Sequence, residues 1–421
     1  MILEKYSFGV GDRFGQQGRA QLGALMKAAD DGVEIVPVWN KSHREHTTIG
    51  TEPASVRAEA DSAAKELGWG KSYYVDADHI GLGNVDLFME SSNFFTLDVA
   101  DFIGKSCGWD MLADFTNRYE DYIGELKIDG IDEVFKVTQP GLELIGAKFL
   151  LAIKEAGRIY SRIASVKGKG NFITEVSMDE TDGPQSPVEM FFILAMIADE
   201  GIPAETIAPK FTGRFNKGVD YVGDVDKFAI EFEQYLAVIK LAVKKFDLPS
   251  NLKLSIHSGS DKFSIYPAIN KAIRKFDAGL HVKTAGTTWL EEVIGLAAAG
   301  GDGLLMAKGI YAKAVAKKDE LCRPYSSVID IDESNLPAVD DVNGWTSEKF
   351  VSALRHDLGC GEYNRDFRQL LHVAYKVAAQ LGSDYINMLG KYEDVVGQNV
   401  MENIYYRHVR PIFVDLFEGL V

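Results

Sequence analysis

The sequence predicts an α/β protein, a TIM-like (β/α)8 barrel followed by a C-terminal helical extension. Three observations predict it. Strand-length apolar runs alternate with helical patterns from about residue 33 to 310, the rhythm of a parallel sheet built from βα units. The 421 residues leave room for an eightfold barrel with additions. Several of the runs end in His, Asp, Glu or Lys, which is how such a barrel presents chemistry at the carboxyl ends of its strands.

Taken in order, residues 8–23 begin Phe8-Gly-Val-Gly-Asp-Arg13-Phe-Gly15 and continue as a helical pattern. A dinucleotide fingerprint fits poorly, because Asp12-Arg13 stand where small residues belong and no strand of useful length precedes them. The loop reads as a surface turn, or as one that brings backbone N–H groups and Arg13 to an anionic or polyhydroxylated ligand. Val33–Trp39 is the first good strand, Pro53–Leu67 an amphipathic helix, and Lys71–His79 the second strand. That strand ends in Asp76, Asp78 and His79, three ligand-class residues together. Phe94–Ala100 reads equally as a strand or a helix start, since periodicity does not decide it. Gly108 to Glu125 looks helical, and Pro140 opens a long helix to Ala164 with Leu144, Ala147 and Leu151 at helical spacing.

Asn171–Ser177 is a strand with Glu175 inside it, a charge that costs on the order of several kcal/mol unless paired or metal-bound. An acidic, turn-rich loop, Met178–Pro187, follows, with Ser186 as N-cap and Pro187 as first residue of the next helix. Glu205–Phe211 is a short strand carrying Lys210, and its charged loop, which includes Asp220, precedes a helix over Asp224–Phe246. Leu252–Ile256 is a strand that ends on His257 and passes through Ser258-Gly-Ser260. Asp261 and Lys262 then stand at the start of a helical pattern, where Asp261 suits an N-cap as well as a catalyst. In Gly279–Gly286, His281 and Lys283 share a strand face at period two, and Thr287-Thr288 cap the next helix.

After Pro324 the rhythm changes to an acidic linker, Asp330–Asp341, and then helices only, of which Arg365–Leu381 and Val396–Phe417 are the clearest. The expected division is a barrel catalytic domain over 1–323 and a linker with helical extension over 324–421, packed on the barrel. His356, His372 and His408 in that extension read as structural. With 45 Lys+Arg against 62 Asp+Glu the net charge is -17, which argues against nucleic-acid or anionic-membrane partners. Cys107, Cys322 and Cys360 form no framework, and neither a leader pattern nor a bilayer-length apolar run is present. A soluble cytoplasmic protein is expected, compatible with a homo-oligomer and acting on a small molecule.

The candidate functional residues are those at strand ends: Asp78, His79, Glu175, Lys210, His257, Asp261, Lys262, His281 and Lys283. A mixed His and carboxylate set on different strands suits a catalytic divalent cation with a position open to substrate, and the remaining carboxylates are general acid/base candidates. From spacing alone the reading stops at a metal-assisted enzyme for a small polar substrate.

Four stretches carry the reading further: Asp76-Ala-Asp-His-Ile-Gly-Leu-Gly-Asn-Val-Asp86, Ser177-Met-Asp-Glu-Thr-Asp-Gly-Pro-Gln-Ser-Pro187, Ile256-His-Ser-Gly-Ser-Asp-Lys-Phe-Ser-Ile-Tyr-Pro267 and His281-Val-Lys-Thr-Ala-Gly286. Together with Phe367-Arg-Gln-Leu-Leu-His-Val-Ala-Tyr375 they resemble the tagaturonate epimerase family of bacterial hexuronate catabolism over nearly the whole chain. The resemblance implies a metal-dependent interconversion of D-tagaturonate and D-fructuronate, and related sequences also epimerise fructose and tagatose at carbon 4. The cation it implies is divalent: Zn, Mn, Ni or Co.

The inverted carbinol is β to the ketone, so simple enolisation does not reach it. A retro-aldol route through a metal-held enediolate, with re-addition to the other face of the aldehyde, satisfies the chemistry. Carried onto this sequence, the resemblance suggests Asp78 as proton acceptor beside the metal ligand His79, His257 as second ligand and Glu175 as the opposing acid/base. Asp220 is the preferred third ligand over His281, and Arg13, Lys262 and Lys283 are expected to hold substrate hydroxyls or carboxylate. The competing readings are a metal-dependent aldolase on a small sugar acid, a Schiff-base enzyme using Lys283 or Lys210, and a non-catalytic sugar-binding barrel.

Overall fold

The computed structural model describes residues 1–415 apart from Glu180, Asp182 and Ala285. Phe417, the expected end of the last helix, lies outside the described residues. Among the described residues ten strands are formed: β1 (Tyr6–Gly11), β2 (Val36–Ser42), β3 (Tyr74–Ile80), β4 (Phe94–Asp98), β5 (Gly124–Leu126), β6 (Phe135–Val137), β7 (Ile173–Ser177), β8 (Thr206–Ala208), β9 (Lys253–Ile256) and β10 (Leu280–Thr284). Eight of them close a barrel in the order β1-β10-β9-β8-β7-β4-β3-β2, while β5 and β6 form a separate antiparallel pair. All neighbouring barrel strands are parallel, so each connection returns over the outside through helices, as the sequence rhythm requires.

Phe94–Asp98 resolves as a strand. The first strand, by contrast, is not legible in the sequence, because Gly9 and Gly11 dilute its apolar signal. The glycine has a packing reason: a Cβ on Gly9 would lie 2.9 Å from Asn40 Nδ2 and 3.1 Å from both the Cα and Cγ of Lys283. The long helix Gln139–Lys167 is where expected, but its buried stripe runs through Leu142, Ile145, Phe149 and Ile153, and Leu144 is 70 % exposed. Ser186 does cap the helix Pro187–Asp199, in a reciprocal box with Glu189, whereas Gly286 rather than a threonine occupies the cap position of Thr287–Ala299.

The barrel interior is layered along the strand direction. Its floor is apolar, with Leu3, Val36, Val38, Tyr74, Phe94 and Ile173 in one cluster. Next, Ser7 Oγ meets His281 Nδ1 at 2.9 Å, and burial pushes that imidazole down to about 3. Beyond it, Asp76, Thr96, Glu175, Thr206 and Lys283 fill the layer below the carboxyl ends of the strands. A polar layer at that depth is stable only where each charge has a partner.

The helical segments after residue 300 wrap back over the barrel. Glu393–Glu402 packs against Thr287–Ala299 so closely that a Cβ on Gly295 would lie 2.7 Å from Val396 Cα. The expected Val396–Phe417 helix is two pieces, an α-helix to Glu402 and a π-helical stretch Asn403–Val414 that contains Pro411, whose missing N–H breaks the i→i−4 pattern. The helix Arg365–Val373 lies on the loops at the carboxyl ends of β8, β9 and β10, through Arg368 to Gly218 O and Asp261, and through Trp289 Nε1 to Leu371 O. No described helix is long and apolar enough to cross a membrane.

Candidate active site

The strand β3 supplies two of the site residues by breaking its own ladder. Its register with β4 shifts between Ala77 and Ile80, and His79 takes a left-handed backbone, φ 54. A non-glycine residue in that region is strained and persists where its surroundings over-determine it. The kink turns His79 toward His257, with ring centroids 5.0 Å apart. On β7 the alternation carries Glu175, Ser177 and, two residues past the strand, Asp179 along one face.

These strand ends converge. His79 Nε2 and His257 Nδ1 lie 3.3 and 3.1 Å from the same oxygen, Asp179 Oδ1, which also accepts from Ser177 Oγ at 2.6 Å. The other nitrogen of each histidine faces a carboxylate: His79 Nδ1 lies 2.8 Å from Asp78 Oδ1, and His257 Nε2 lies 2.7 Å from Glu175 Oε1. Lys283 Nζ joins the two halves, reaching Asp76 at 2.8 Å, Asp78 at 3.0 Å, Glu175 at 3.1 Å and Thr96 Oγ1 at 2.6 Å.

Charge decides how these groups titrate. Burial opposes ionisation of Asp78 and Glu175, but Lys283 and the adjoining histidines outweigh it and hold both carboxyls below the usual carboxylate range. For Asp76 burial wins, and its carboxyl is pushed up to about 6. Burial also opposes the charged forms of His79, His257 and Lys283, yet the surrounding carboxylates raise all three. With both imidazoles neutral the cluster would set four carboxyl groups against one ammonium, a deficit of positive charge in a low-dielectric pocket.

A divalent cation fits that deficit. His79, Asp179 and His257 each present a ligand atom, all within 4.8 Å of one another. The buried His257 Nδ1 has no hydrogen-bond partner despite its proximity to Asp179. Each histidine is backed by a carboxylate on its other nitrogen, the arrangement that fixes tautomer and ring orientation in carboxylate–histidine–metal triads. The donor set of two imidazoles and a carboxylate suits borderline divalent ions such as those expected.

The expected residues divide as follows. His79, His257, Asp78, Glu175 and Lys283 come together. Asp179, not Asp220, stands third beside the histidines; Asp220 caps a loop, accepting from Ser264 N and Oγ and from Tyr221 N. Its alternative, His281, lies one layer deeper on Ser7. Glu175 is fully buried, with Oε1 on His257, Lys283 and Thr96 and Oε2 on Thr206 Oγ1 at 2.7 Å. It orients His257 and has no oxygen turned to solvent, which corrects its placement as an acid/base. Asp78 has a side chain 9 % exposed and lies beside His79 and Asp179 at 19 and 21 %, so the face open to substrate is theirs.

Lys262 is likewise corrected from a substrate contact. Its Nζ donates to the carbonyls of Asn216, Val219 and Ser260 at 3.0, 2.7 and 2.9 Å, and it fixes the loop after β9. Asp261 does not cap a helix: with φ 63 it holds Arg368 Nη2 at 3.0 Å and donates its N–H to His408 Nε2. Lys210 N is bound by Gln185 Oε1. Arg13 donates from Nε to Glu45 at 3.2 Å, with its guanidinium 3.9 Å above the Tyr375 ring. The backbone N–H groups of residues 14–17, a candidate anion cradle, all point at the Asp12 carboxylate at 2.6–2.9 Å and are already satisfied. Asp179 was hidden within an acidic loop; continuing the period-two face of Glu175 and Ser177 by one more step is the signal that finds it.

The model of the UxaE tagaturonate epimerase family matches residues 1–410. A curated tagaturonate/fructuronate epimerase from Thermotoga maritima is 28% identical over 429 residues, covering 98% of this chain and 81% of the relative. Among solved structures, native fructuronate-tagaturonate epimerase UxaE from Cohnella laeviribosi superposes with a TM-score of 0.81 at 23% identity, covering 98% of this chain and 82% of that one. A glycerol complex of the same enzyme gives 0.80 at 24% identity with the same coverage. At that identity the likeness establishes the barrel with its extension.

Proposed function

This chain belongs to the tagaturonate epimerase family, and from that premise we propose that it is an isomerase interconverting D-tagaturonate and D-fructuronate by retro-aldol and aldol steps. The observation that supports the route is the pair of carboxylate-backed histidines, Asp78–His79 and Glu175–His257, converging on Asp179. His79, Asp179 and His257 would hold a divalent cation, which when bound supplies electrostatic stabilisation of negative charge on the substrate oxygens.

The chain's own groups do the rest. Asp78, kept ionised by Lys283 and His79, accepts the proton of the hydroxyl on the carbon to be inverted. The carbon–carbon bond between that carbon and its ketone-side neighbour breaks, its electron pair passing to the ketone-side fragment as an enediolate, and the hydroxyl becomes an aldehyde. The aldehyde turns, the bond re-forms on its other face, and the proton returns to the oxygen. Lys283 sets the charge of Asp78 and Glu175 throughout, and Glu175 holds the ring of His257. Buried among three carboxylates that raise its pKa, Lys283 is poorly suited to a Schiff base, which needs a neutral amine.

The test is to incubate the protein, with divalent metal, with tagaturonate in D2O and follow the products by NMR. Fructuronate without deuterium at the inverted carbon is expected. Deuterium there would overturn the retro-aldol route, released fragments would make the protein an aldolase, and turnover unaffected by exhaustive chelation would overturn the cation. The same assay with fructose and tagatose shows whether the neutral sugars are also substrates.

A further inference from the structure

Three residues at the barrel mouth, Arg13, Lys217 and His372, take no part in the chemistry above. Lys217, on the loop after β8, donates from Nζ to Ser258 Oγ at 2.9 Å, one residue past His257, and pairs with no carboxylate among the described residues. Its neighbour Gly218 packs on the imidazole of His372, where a Cβ would lie 3.2 Å from Cδ2. Further round the ring, a Cβ on Gly286 would lie 2.0 Å from His372 Nε2, so only a bare backbone admits the ring. His372 is buried, and its Nδ1 has no hydrogen-bond partner.

Three residues on, Tyr375 lies under the guanidinium of Arg13. Arg13 is 6% exposed, and its Nη1 is buried without a partner. The loop after β1 therefore brings a guanidinium to Tyr375, and the loop after β8 packs Gly218 on His372 while its Lys217 ammonium reaches Ser258 beside His257. Burial holds the His372 imidazole well below its usual range, and Arg13, Lys217 and Arg368 push it the same way against Asp261, so the ring is neutral. Glu45 is the one carboxylate paired with Arg13 among the described residues. With Arg13 paired to Glu45, Lys217 is left as a cation with no carboxylate partner among the described residues, and the buried Arg13 Nη1 has none either, a costly state unless something binds it.

We propose that Arg13, Lys217 and His372 form the subsite for the substrate's carboxylate, and so set the preference for a hexuronate over a neutral ketohexose. The assignment rests on the epimerase reading above and goes beyond it in a specific respect. Bond cleavage leaves the carboxylate on the aldehyde half, the half that has to turn without departing. An anchored carboxylate lets that half rotate about its own bonds while its effective concentration stays high. The anchor is what makes the outcome epimerisation rather than release of two fragments.

Binding of two unreactive probes tests it. A hexonate such as galactonate and the matching hexitol are titrated calorimetrically into the full chain with Mn2+ present, using wild type, Lys217→Met and Lys217→Arg. Wild type is expected to bind the hexonate at least about tenfold tighter, Lys217→Met to lose about tenfold of that advantage, and Lys217→Arg to keep most of it. On the unmodified protein, added NaCl should weaken hexonate binding and leave hexitol binding nearly constant. Equal binding of the two probes by wild type, binding of neither, an undiminished advantage in Lys217→Met, or salt-insensitive hexonate binding would each overturn the subsite. Tagaturonate turnover is read separately: turnover without the hexonate advantage sinks the subsite alone, whereas the advantage without turnover sinks the reaction and leaves the subsite.

Discussion

His257 and Asp261 stand on one short loop and anchor two buried knots of carboxylate, histidine and cation. The first knot, around His79, Asp179 and His257, sets four carboxyl groups against one lysine and keeps one face partly open. The second sets one carboxylate, Asp261, against one guanidinium, Arg368, both at most 1% exposed. His356 and His408 complete it, and burial lowers both, His408 to about 4. So the second knot is balanced with neutral histidines, whereas the first is short of positive charge whenever its two histidines are neutral, as ligands of a cation would be. Residue types are nearly the same; charge balance and access separate a site that needs a ligand from a clasp that needs none.

Breaking the first knot should abolish chemistry and spare the fold. Asp78→Asn is expected to reduce epimerisation by about 10²–10⁴-fold, the range of a lost acid/base group, with a melting temperature close to wild type. Turnover within threefold of wild type would remove Asp78 from the mechanism. Breaking the second knot should do the reverse. Arg368→Met leaves Asp261 buried and unpaired, at about 3–5 kcal/mol of stability, measurable by urea denaturation; a change below about 1 kcal/mol would show that the clasp is not structural.

A smaller effect sharpens the boundary between the knots. Glu175→Gln keeps the shape but weakens the backing of His257, and should lower affinity for the divalent ion by about 10–100-fold, read by competition with a chelating dye. Unchanged affinity would return Glu175 to a role on the substrate.

The pH dependence of folding comes last. Burial opposes ionisation of Asp261, but Arg368 outweighs it and holds the carboxyl well below its usual value of 3.8. The unfolded chain takes up that proton first, so the contribution is complete above about pH 4 and is lost as pH falls below it. Between pH 5 and pH 3 wild type should therefore lose more stability than Arg368→Met; parallel losses would contradict the assignment.

Much of this was legible beforehand. Tyr74–Ile80 was readable as a strand because its run ends among ligand-class residues, and Ile173–Ser177 because Glu175 stands inside an apolar run; His79 and His257 were readable as strand-end candidates, and as a pair of ligands through the family resemblance. Tyr6–Gly11 was not, since Gly9, bare where Lys283 passes, and Gly11 erase the pattern that marks a strand.

The sequence by itself determined the periodicities, and with them the parallel barrel, its helical extension and the family. It also determined which residue types stand at strand ends, because a local pattern of two or 3.6 residues is a property of neighbours in the chain. Only the tertiary structure decided which of those residues share a site. Asp179 rather than Asp220 stands beside His79 and His257, Glu175 is turned to His257 and Lys283, and Lys262 is turned to backbone carbonyls. Those choices depend on barrel closure and on the carboxyl-end loops packing beneath the extension, contacts between residues a hundred or more positions apart, and on a charge balance that exists only once they meet.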